Sequence, residues 1–342
     1  MLPVAELHLH LEGTLEPETI FAIAERNSIE LPYLDLDELK ARYAFTDLQS
    51  FLDLCYANVA VLRVGEDFAD MTTAYLDRAA AAGVRHAEVF LNPQAHVERG
   101  VPLRELMAGV LGPLSESLRT HGVSSGLIVA FLRDKSEESA MATLDAVLAL
   151  DVPIIGVGLD SAEVGHPPSK FARVFERARA EGLNCVAHAG EEGPPSYVWE
   201  ALDLLGVQRI DHGIRCLEDD QLVQRLVQDQ VPLTVCPLSN VSLKVVDSFA
   251  SHPLPTMMER GLKVTVNSDD PAYFGGYIDD NFDALVETGH VAPVDLATLA
   301  RNSIEASFAD PYRKRNLMAE LEAALVDHPI VAEHQRPPGP QS

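Results

Sequence analysis

Short apolar segments alternate with longer amphipathic segments along almost the whole chain. The apolar segments carry few polar residues on either face, which is typical of strands buried on both sides in a parallel sheet. We predict eight such strands, at Ala5–His10, Arg85–Leu91, Gly126–Leu132, Ile154–Asp160, Asn184–Ala189, Arg209–Gly213, Pro232–Cys236 and Lys263–Ser268. Between them, apolar residues recur at three- and four-residue intervals, which predicts helices such as Phe68–Ala82, Leu103–Thr120, Glu137–Leu150 and Lys170–Glu181.

A strand followed by a helix, repeated eight times, favours an α/β fold of the closed (β/α)8 TIM-barrel type. A doubly wound open sheet is the alternative. Two regions exceed a minimal barrel: a helical insertion over Pro17–Arg63 after strand 1, and extra C-terminal helices over Asn281–Asp327. We therefore predict one distorted barrel domain over residues 1–334, with the insertion as a cover for its site. The Pro-rich polar tail, 335–342, is expected to be disordered.

Composition narrows the classes of partner. The chain has 342 residues, with 52 Asp and Glu against 26 Lys and Arg, for a net charge of -26. This charge repels phosphate backbones and anionic lipids, so we expect no nucleic-acid or membrane partner. The four cysteines have no CxxC spacing, which favours reduced thiols and a cytoplasmic location. No signal peptide or membrane-spanning stretch is expected either, and homo-oligomerisation is possible.

Five segments place metal-type ligands or acid/base residues at or just after predicted strand ends. In a barrel such ends meet at one mouth, where catalytic groups from different strands converge. The segments are His8-Leu9-His10, His188-Ala189-Gly190-Glu191, Asp211-His212-Gly213, Cys236-Pro237-Leu238-Ser239-Asn240 and Asn267-Ser268-Asp269-Asp270-Pro271.

A metal site is the first interpretation of these residues. His8 and His10 share one strand face, His188 ends an apolar run, and Asp269 follows another. Each alone has an ordinary explanation: polar residues near a strand end, a hydrogen-bonded core histidine, or a turn cap. Together, three imidazoles and one carboxylate suit one Zn²⁺ ion with an open position, with Fe²⁺ possible. The fourth strand ends Val157–Ser161 without a lysine to bridge two metals, so one ion is preferred.

Two further side chains are candidates for handling protons. Glu191 follows His188 by three residues and can lie near the metal without binding it. His212, at the end of the sixth strand, is a candidate base for water. The ordinary alternatives are a solvated surface acid for Glu191 and a structural histidine paired with a carboxylate for His212.

These segments resemble those of the adenosine/adenine deaminases of the amidohydrolase superfamily. The resemblance extends over nearly the whole chain and rests on Ala-Glu-Leu-His-Leu-His-Leu-Glu-Gly-Thr, His-Ala-Gly-Glu, Arg-Ile-Asp-His-Gly, Cys-Pro-Leu-Ser-Asn and Val-Asn-Ser-Asp-Asp-Pro. It implies a distorted β/α barrel that holds zinc through His8, His10, His188 and Asp269.

The resemblance also implies catalytic roles. Glu191 would protonate purine N1 as zinc-bound hydroxide attacks C6, and ammonia would then leave. His212 would take the proton of the water or hold the hydroxide in place, and Asp270 would contact the attacking oxygen or N7. Ser161 and Gly190 fall where the family contacts the purine. The Cys236–Asn240 segment has no firm role and is expected to shape the pocket floor beside His212.

Substrate choice depends on two carboxylates. Nucleoside-specific members typically have Asp where this chain has Glu12, whose extra methylene would intrude on the ribose space. Glu163 lies in a stretch that resembles the adenine deaminase branch and is expected to accept the imidazole N–H that only a free base has. We therefore predict zinc-dependent hydrolytic deamination of the purine base adenine to hypoxanthine and ammonia.

Three alternatives remain. The substrate is an N6-substituted adenine if Phe51, Leu54 and Tyr56 line the pocket beside N6, although a lid-helix core is the simpler role for them. Adenosine or another C9-substituted adenine is the second alternative. A catalytically dead purine-binding relative is the third, and the presence of every expected group argues against it.

Overall fold

Eight parallel strands lie side by side in sequence order in a computed structural model that describes residues 2–289 and 291–326. The strands are β1 Val4–His10, β2 Val84–Leu91, β3 Ser124–Leu132, β4 Gly156–Asp160, β5 Asn184–Ala189, β6 Arg209–His212, β7 Leu233–Val235 and β8 Val264–Val266. A bridge between Leu9 and Asp269 joins the end of β8 to β1, with the Asp269 N–H donating to His8 O at 3.0 Å and the His10 N–H to Asp269 O at 2.9 Å. The sheet is therefore a barrel, and the open-sheet alternative is wrong.

The helices surround this barrel. They are α1 Pro17–Arg26, α2 Leu36–Ala41, α3 Leu48–Asn58, α4 Gly65–Ala81, α5 Pro93–Val97, α6 Leu103–His121, α7 Glu137–Leu148, α8 Ala172–Ala180, α9 Pro195–Glu200, α10 Asp220–Asp229, α11 Pro237–Ser242, α12 Leu254–Glu259, α13 Pro271–Phe274, α14 Ile278–Glu287, α15 Pro293–Ala306 and α16 Pro311–Val326. No helix within the described residues has the length and apolar character needed to cross a membrane.

The predicted elements agree closely with these bounds. Every predicted strand begins and ends within two residues of the observed one. The helix predicted at Lys170–Glu181 is shorter than expected, because a 3₁₀ turn over Pro168–Phe171 precedes α8. Pro167 holds an extended backbone before that turn, and proline cannot donate the hydrogen bond of a helix interior.

The insertion after β1 packs over the mouth of the barrel. Its helix α3 contributes Phe51, whose ring centroid lies 4.7 Å from that of Phe274 and 5.4 Å from that of Tyr273 in α13. Because α13 directly follows the Asp269-Asp270 turn, this aromatic contact fixes α3 beside the strand ends that carry the candidate ligands. The insertion therefore covers the site, as the sequence suggests.

The C-terminal helices close the other side of the β1–β8 seam. Ser303 in α15 accepts the backbone N–H of Ala5 at 3.0 Å, and Asn302 donates to the carbonyl of Val264 at 2.9 Å. These bonds tie α15 to both strands where the barrel closes. The predicted tail at 335–342 lies outside the described residues, and the extent of the domain, 1–334, stays a prediction.

Candidate metal centre and active site

Three imidazoles and one carboxylate converge at the mouth of the barrel. The Nε2 atom of His188 lies 3.1 Å from the Nε2 atoms of both His8 and His10. The Oδ1 atom of Asp269 lies 3.4 Å from His8 Nε2 and 3.5 Å from His10 Nε2. His8, His188 and Asp269 are buried, and the backbone of Asp269 lies in the left-handed region with φ of 66°. The four ligands predicted from the sequence therefore lie together.

Their spacing fits one tetrahedral metal ion. Ligand atoms about 2.0–2.1 Å from zinc stand roughly 3.3–3.4 Å apart in a tetrahedron. The distances from His188 Nε2 and from Asp269 Oδ1 to the Nε2 atoms of His8 and His10 run from 3.1 to 3.5 Å. Burying imidazole nitrogens and a carboxylate oxygen together is costly unless they are hydrogen-bonded or bind a metal. This cluster therefore has the donor set and the spacing of a metal centre.

The hydrogen bonds of His8 orient its ring for metal binding. Its Nδ1 atom lies 3.3 Å from the carbonyl oxygen of Thr234 and 2.9 Å from its hydroxyl. Because a carbonyl oxygen only accepts, Nδ1 carries the proton, and the Nε2 lone pair is free to face the other ligands. The Thr234 hydroxyl in turn donates to Asp211 Oδ1 at 2.8 Å. Such outer partners fix the tautomer of a metal-binding histidine.

Asp211 also faces a second ligand. Its Oδ2 atom lies 3.7 Å from Nδ1 of His188, and its Oδ1 lies 3.7 Å from Nε of Arg209. Arg209 is buried in the barrel, where its guanidinium contacts the carboxylate of Glu88 at 2.6 Å and donates to the carbonyl of Leu7 at 2.9 Å. The sequence gives no sign of the supporting roles of Arg209 and Glu88, and only Asp211 stands out by its position near the end of β6.

His212 faces the other oxygen of Asp269. Its Nε2 atom lies 3.7 Å from Asp269 Oδ2 and 3.6 Å from Glu191 Oε2. Its ligand atom also lies within 4.8 Å of those of His8, His188 and Asp269, so proximity alone does not exclude it as a ligand. The two oxygens of Asp269 nevertheless face different histidines. His8 and His10 lie next to Oδ1, whereas His212 lies next to Oδ2. His212 is buried, and burial lowers its pKa to about 3, which keeps the ring neutral.

Glu191 is buried beside this cluster. Burial and the negative charge of Asp269 hold the pKa of its carboxyl well above the ordinary value, so the carboxyl favours its protonated form. Its loop is fixed by Glu163, whose carboxylate accepts the backbone N–H groups of residues 190, 191, 192 and 193 at 2.7, 3.1, 2.8 and 2.7 Å. A protonated carboxyl in a rigid loop has the properties of a general acid.

The hydrogen bonds of Glu163 give it a structural role besides the one expected from the sequence. Both of its oxygens accept backbone N–H groups, and its side chain does not line the cavity next to the metal cluster. Glu163 therefore holds the Glu191 loop, and its contact with the substrate stays a prediction. The N–H of Gly190 is likewise occupied by Glu163, and Gly190 does not line the cavity either.

The cavity lies between the metal cluster and helix α3. Its walls include every predicted ligand except His8, the acid/base side chains, the strand-end residues Glu12, Ser161 and Asp270, and the α3 residues Phe51 and Tyr56. Leu54, the third residue expected beside N6, does not line it and packs against the hydrophobic core. Ser161 has a left-handed backbone with φ of 73°, and its hydroxyl lies 3.5 Å from that of Tyr56. Strained residues of this kind cluster at functional sites.

Two more carboxyl groups on the cavity wall have pKa values that are shifted in opposite directions. Glu12 accepts the backbone N–H of Asn92 at 2.9 Å, and its contact with His96 at 3.0 Å lowers its pKa although burial opposes this. Burial and the charge of Asp269 raise the pKa of Asp270 well above the ordinary value. A Cβ atom on Gly13 would lie 2.0 Å from Asp270 Oδ1, so only glycine allows the Asp270 carboxyl this position.

A closed β/α barrel with a His/Asp cluster suited to a metal at its mouth and a buried glutamate beside it defines the class of metal-dependent β/α-barrel hydrolases. Comparison with known proteins agrees with this class. The chain belongs to the adenosine deaminase family, whose family model matches residues 3–324. The resemblance seen in the five sequence motifs is thereby confirmed.

Relatives in the family are similar over almost their whole length. An adenine deaminase from Streptomyces coelicolor is 60% identical over 324 residues, which cover 94% of this chain and 95% of that protein. The crystal structure of an adenine deaminase from Arthrobacter aurescens has 62% sequence identity and a TM-score of 0.94, covering 95% of this chain and 100% of that one. An amidohydrolase from Burkholderia ambifaria with bound zinc has 28% identity and a TM-score of 0.88, covering 97% of this chain and 93% of that one.

Proposed function

We propose that this protein hydrolytically deaminates adenine to hypoxanthine and ammonia, with one zinc ion held by His8, His10, His188 and Asp269. The observation that carries the proposal is the burial of the Glu191 carboxyl beside the His/Asp cluster on the wall of one cavity. The similar proteins from Streptomyces coelicolor and Arthrobacter aurescens are both named adenine deaminases, at 60% and 62% identity. Conserved length and a complete set of site residues favour the same activity here.

The metal supplies one part of the chemistry. When bound, zinc lowers the pKa of water toward neutrality and so provides a nucleophile for the purine C6 atom. Zinc is favoured over Fe²⁺ by the set of imidazole and carboxylate donors and by the zinc bound to the similar amidohydrolase from Burkholderia ambifaria.

The protein residues supply the proton transfers and the orientation. Glu191 donates its proton to purine N1, which withdraws electrons from C6 and makes that carbon a better electrophile. His212 and Asp270 lie on the cavity wall with Glu191 and contact the oxygen nucleophile or the ring as the C6–N bond breaks. Ser161 borders the same cavity, where its backbone is available to the purine ring.

Glu12 favours a free base over a nucleoside. Its carboxylate is buried, held by Asn92 and His96, and lines the cavity. A fixed side chain one methylene longer than Asp narrows the space for a ribose. A second candidate, deamination of an N6-substituted adenine, is supported by Phe51 and Tyr56, which give the cavity an aromatic wall. A cytoplasmic location and a homo-oligomeric state stay predictions.

The ultraviolet change on mixing zinc-loaded protein with adenine, adenosine and an N6-alkyl adenine in parallel tests the proposal. We expect turnover of adenine with little reaction of adenosine. Faster turnover of the N6-alkyl compound would assign the second candidate instead. Reaction of adenosine alone would contradict the role of Glu12, and no reaction of any purine by the zinc-loaded protein would overturn the proposed activity.

A further inference from the structure

A chain of buried side chains reaches His212 from behind the active site. Asn240 in α11 places its side-chain nitrogen 3.5 Å from Nδ1 of His212. Nε2 of His252 lies 3.3 Å from the side-chain oxygen of Asn240, and the backbone N–H of Leu254 lies 3.1 Å from Nδ1 of His252. Asn240, His252 and His212 are at most 4% exposed. We call these three residues the His212 relay.

The hydrogen bond between Leu254 and His252 determines which atom donates and which accepts in the other hydrogen bonds of the relay. The backbone N–H of Leu254 can only donate, so Nδ1 of His252 accepts and the proton of the neutral ring is on Nε2. This Nε2–H donates to the Asn240 oxygen, which assigns the amide orientation. The Asn240 amide N–H therefore points at Nδ1 of His212, which accepts. The remaining proton of a neutral His212 is then on Nε2.

We propose that Asn240 and His252 are positioning residues that present His212 to the reaction with Nδ1 as acceptor and Nε2–H directed toward Asp269 and Glu191. In its catalytic consequence this proposal rests on the proposed function. His212 then donates a hydrogen bond to the oxygen nucleophile and holds it, and is not the base that removes its proton. A ring with Nε2–H also cannot bind the metal through that atom, which leaves His8, His10, His188 and Asp269 as the ligands.

The relay gives the Cys236–Asn240 segment a chemical role. Asn240 follows β7 closely, and Val246 N–H donates to the Asn240 carbonyl at 2.9 Å, which helps to fix the end of α11. If Asn240 only stabilised this turn, its substitution would leave the tautomer of the His212 ring unchanged. An asparagine that sets the His212 tautomer would alter that ring in a way that spectroscopy detects without any turnover.

The test uses the zinc-loaded protein labelled with ¹⁵N-histidine. Long-range ¹H–¹⁵N correlations report which ring nitrogens carry protons, and His212→Asn identifies the His212 signals by their loss among the 12 histidines. We expect an unprotonated Nδ1 and a protonated Nε2 on His212. A protonated Nδ1, or an Nε2 bonded to the metal, would overturn the proposal.

Two variants connect the tautomer with turnover. Asn240→Asp keeps the size of the side chain but offers only acceptors, so we expect the His212 proton to move to Nδ1 and kcat to fall about 100-fold, with KM and bound zinc unchanged. His252→Gln retains an N–H donor toward Asn240, and we expect it to keep the His212 tautomer and most of the activity. An Asn240→Asp protein with wild-type His212 signals and kcat would contradict the relay. If the wild-type protein gave the expected His212 signals but did not deaminate adenine, the proposed function would be refuted and the relay would not.

Discussion

The carboxylate of Glu163 accepts the backbone N–H of Glu191 at 3.1 Å, as one of four hydrogen bonds from consecutive residues of that loop. A charged acceptor among several backbone donors makes strong, short hydrogen bonds. Gly193 completes the arrangement, since a Cβ atom there would lie 2.5 Å from Glu163 Oε1. Glu163 therefore determines where the Glu191 carboxyl points, although it does not face the cavity.

Substituting Glu163 separates this positioning role from a direct contact with substrate. In Glu163→Gln, one acceptor oxygen becomes a donor that faces backbone N–H groups, so the Glu191 loop loses its anchor. We expect kcat for adenine to fall roughly 10- to 100-fold, because a small misplacement of a catalytic group is costly. KM, zinc content and the rejection of adenosine should remain near wild type in steady-state assays.

The neighbouring Glu192 supplies a matched control for this experiment. Its side chain lies in the same loop and is partly exposed, and Glu192→Gln changes the same functional group without removing the anchor. If the Glu163→Gln protein had normal kcat but accepted adenosine, the result would contradict the anchoring role. It would support the substrate contact that the sequence suggests for Glu163.

Glu191 itself is expected to be the proton donor. In Glu191→Gln the side chain keeps its size but has no acidic proton to give to N1. We expect kcat to fall by about 10²- to 10⁴-fold while the zinc content, measured by atomic absorption, stays at the wild-type level. Retained turnover in this variant would remove Glu191 from the acid role.

The convergence of the four predicted ligand residues could be expected from sequence because it depends on local periodicity. His8 and His10 alternate with Leu9 along one strand, so they share a face, and His188 and Asp269 end or follow other strands of the same barrel. The order of strands in the barrel then brings them together. Residues that are placed by strand periodicity and strand order can therefore be recognised in the sequence.

The supporting contacts were not predictable for a physical reason. Glu163 binds backbone N–H groups, which every residue except proline has, so its partners leave no trace in the sequence. The contacts of Asp211 with His188 and of Asn240 with His212 join residues that are distant along the chain. Their geometry depends on how the loops fold. The sequence therefore suggests a substrate partner for Glu163 but gives no sign of the backbone groups that its carboxylate accepts.

Removal of the metal is expected to lower stability as well as activity. Without a cation, the Nε2 atoms of His8, His10 and His188 face one another and the Asp269 oxygen in a buried site. A ligand that binds only the folded state stabilises it by mass action, so chelation should lower Tm. Readdition of Zn²⁺ should restore both Tm and turnover, and a Tm that chelation leaves unchanged in metal-loaded protein would contradict this site. Fe²⁺ readdition compares the two candidate metals.

Glu6 should make stability depend on pH. Its buried carboxyl contacts the hydroxyl groups of Ser268 and Tyr75, and burial raises its pKa from 4.5 to about 7. Between these values the folded state binds more protons than the unfolded state, so this group's contribution to the free energy of unfolding falls as pH rises and levels off above pH 7. The stability of wild type minus that of Glu6→Gln should decrease by about 3 kcal/mol from pH 4.5 to pH 8 in urea titrations. A difference that is constant with pH would show that the Glu6 pKa is normal.

Shortening Glu12 should change which purine the site accepts. Glu12→Asp withdraws the carboxylate by one methylene from the cavity, away from its contacts with Asn92 and His96. We expect kcat/KM for adenosine relative to adenine to rise at least about 10-fold, since one methylene in a pocket accounts for discrimination of that order. Glu12→Gln is the matched control, because it preserves length and removes only the charge, and it should continue to reject adenosine. Equal gains of adenosine turnover in both variants would mean that the charge of Glu12, and not its reach, excludes the ribose.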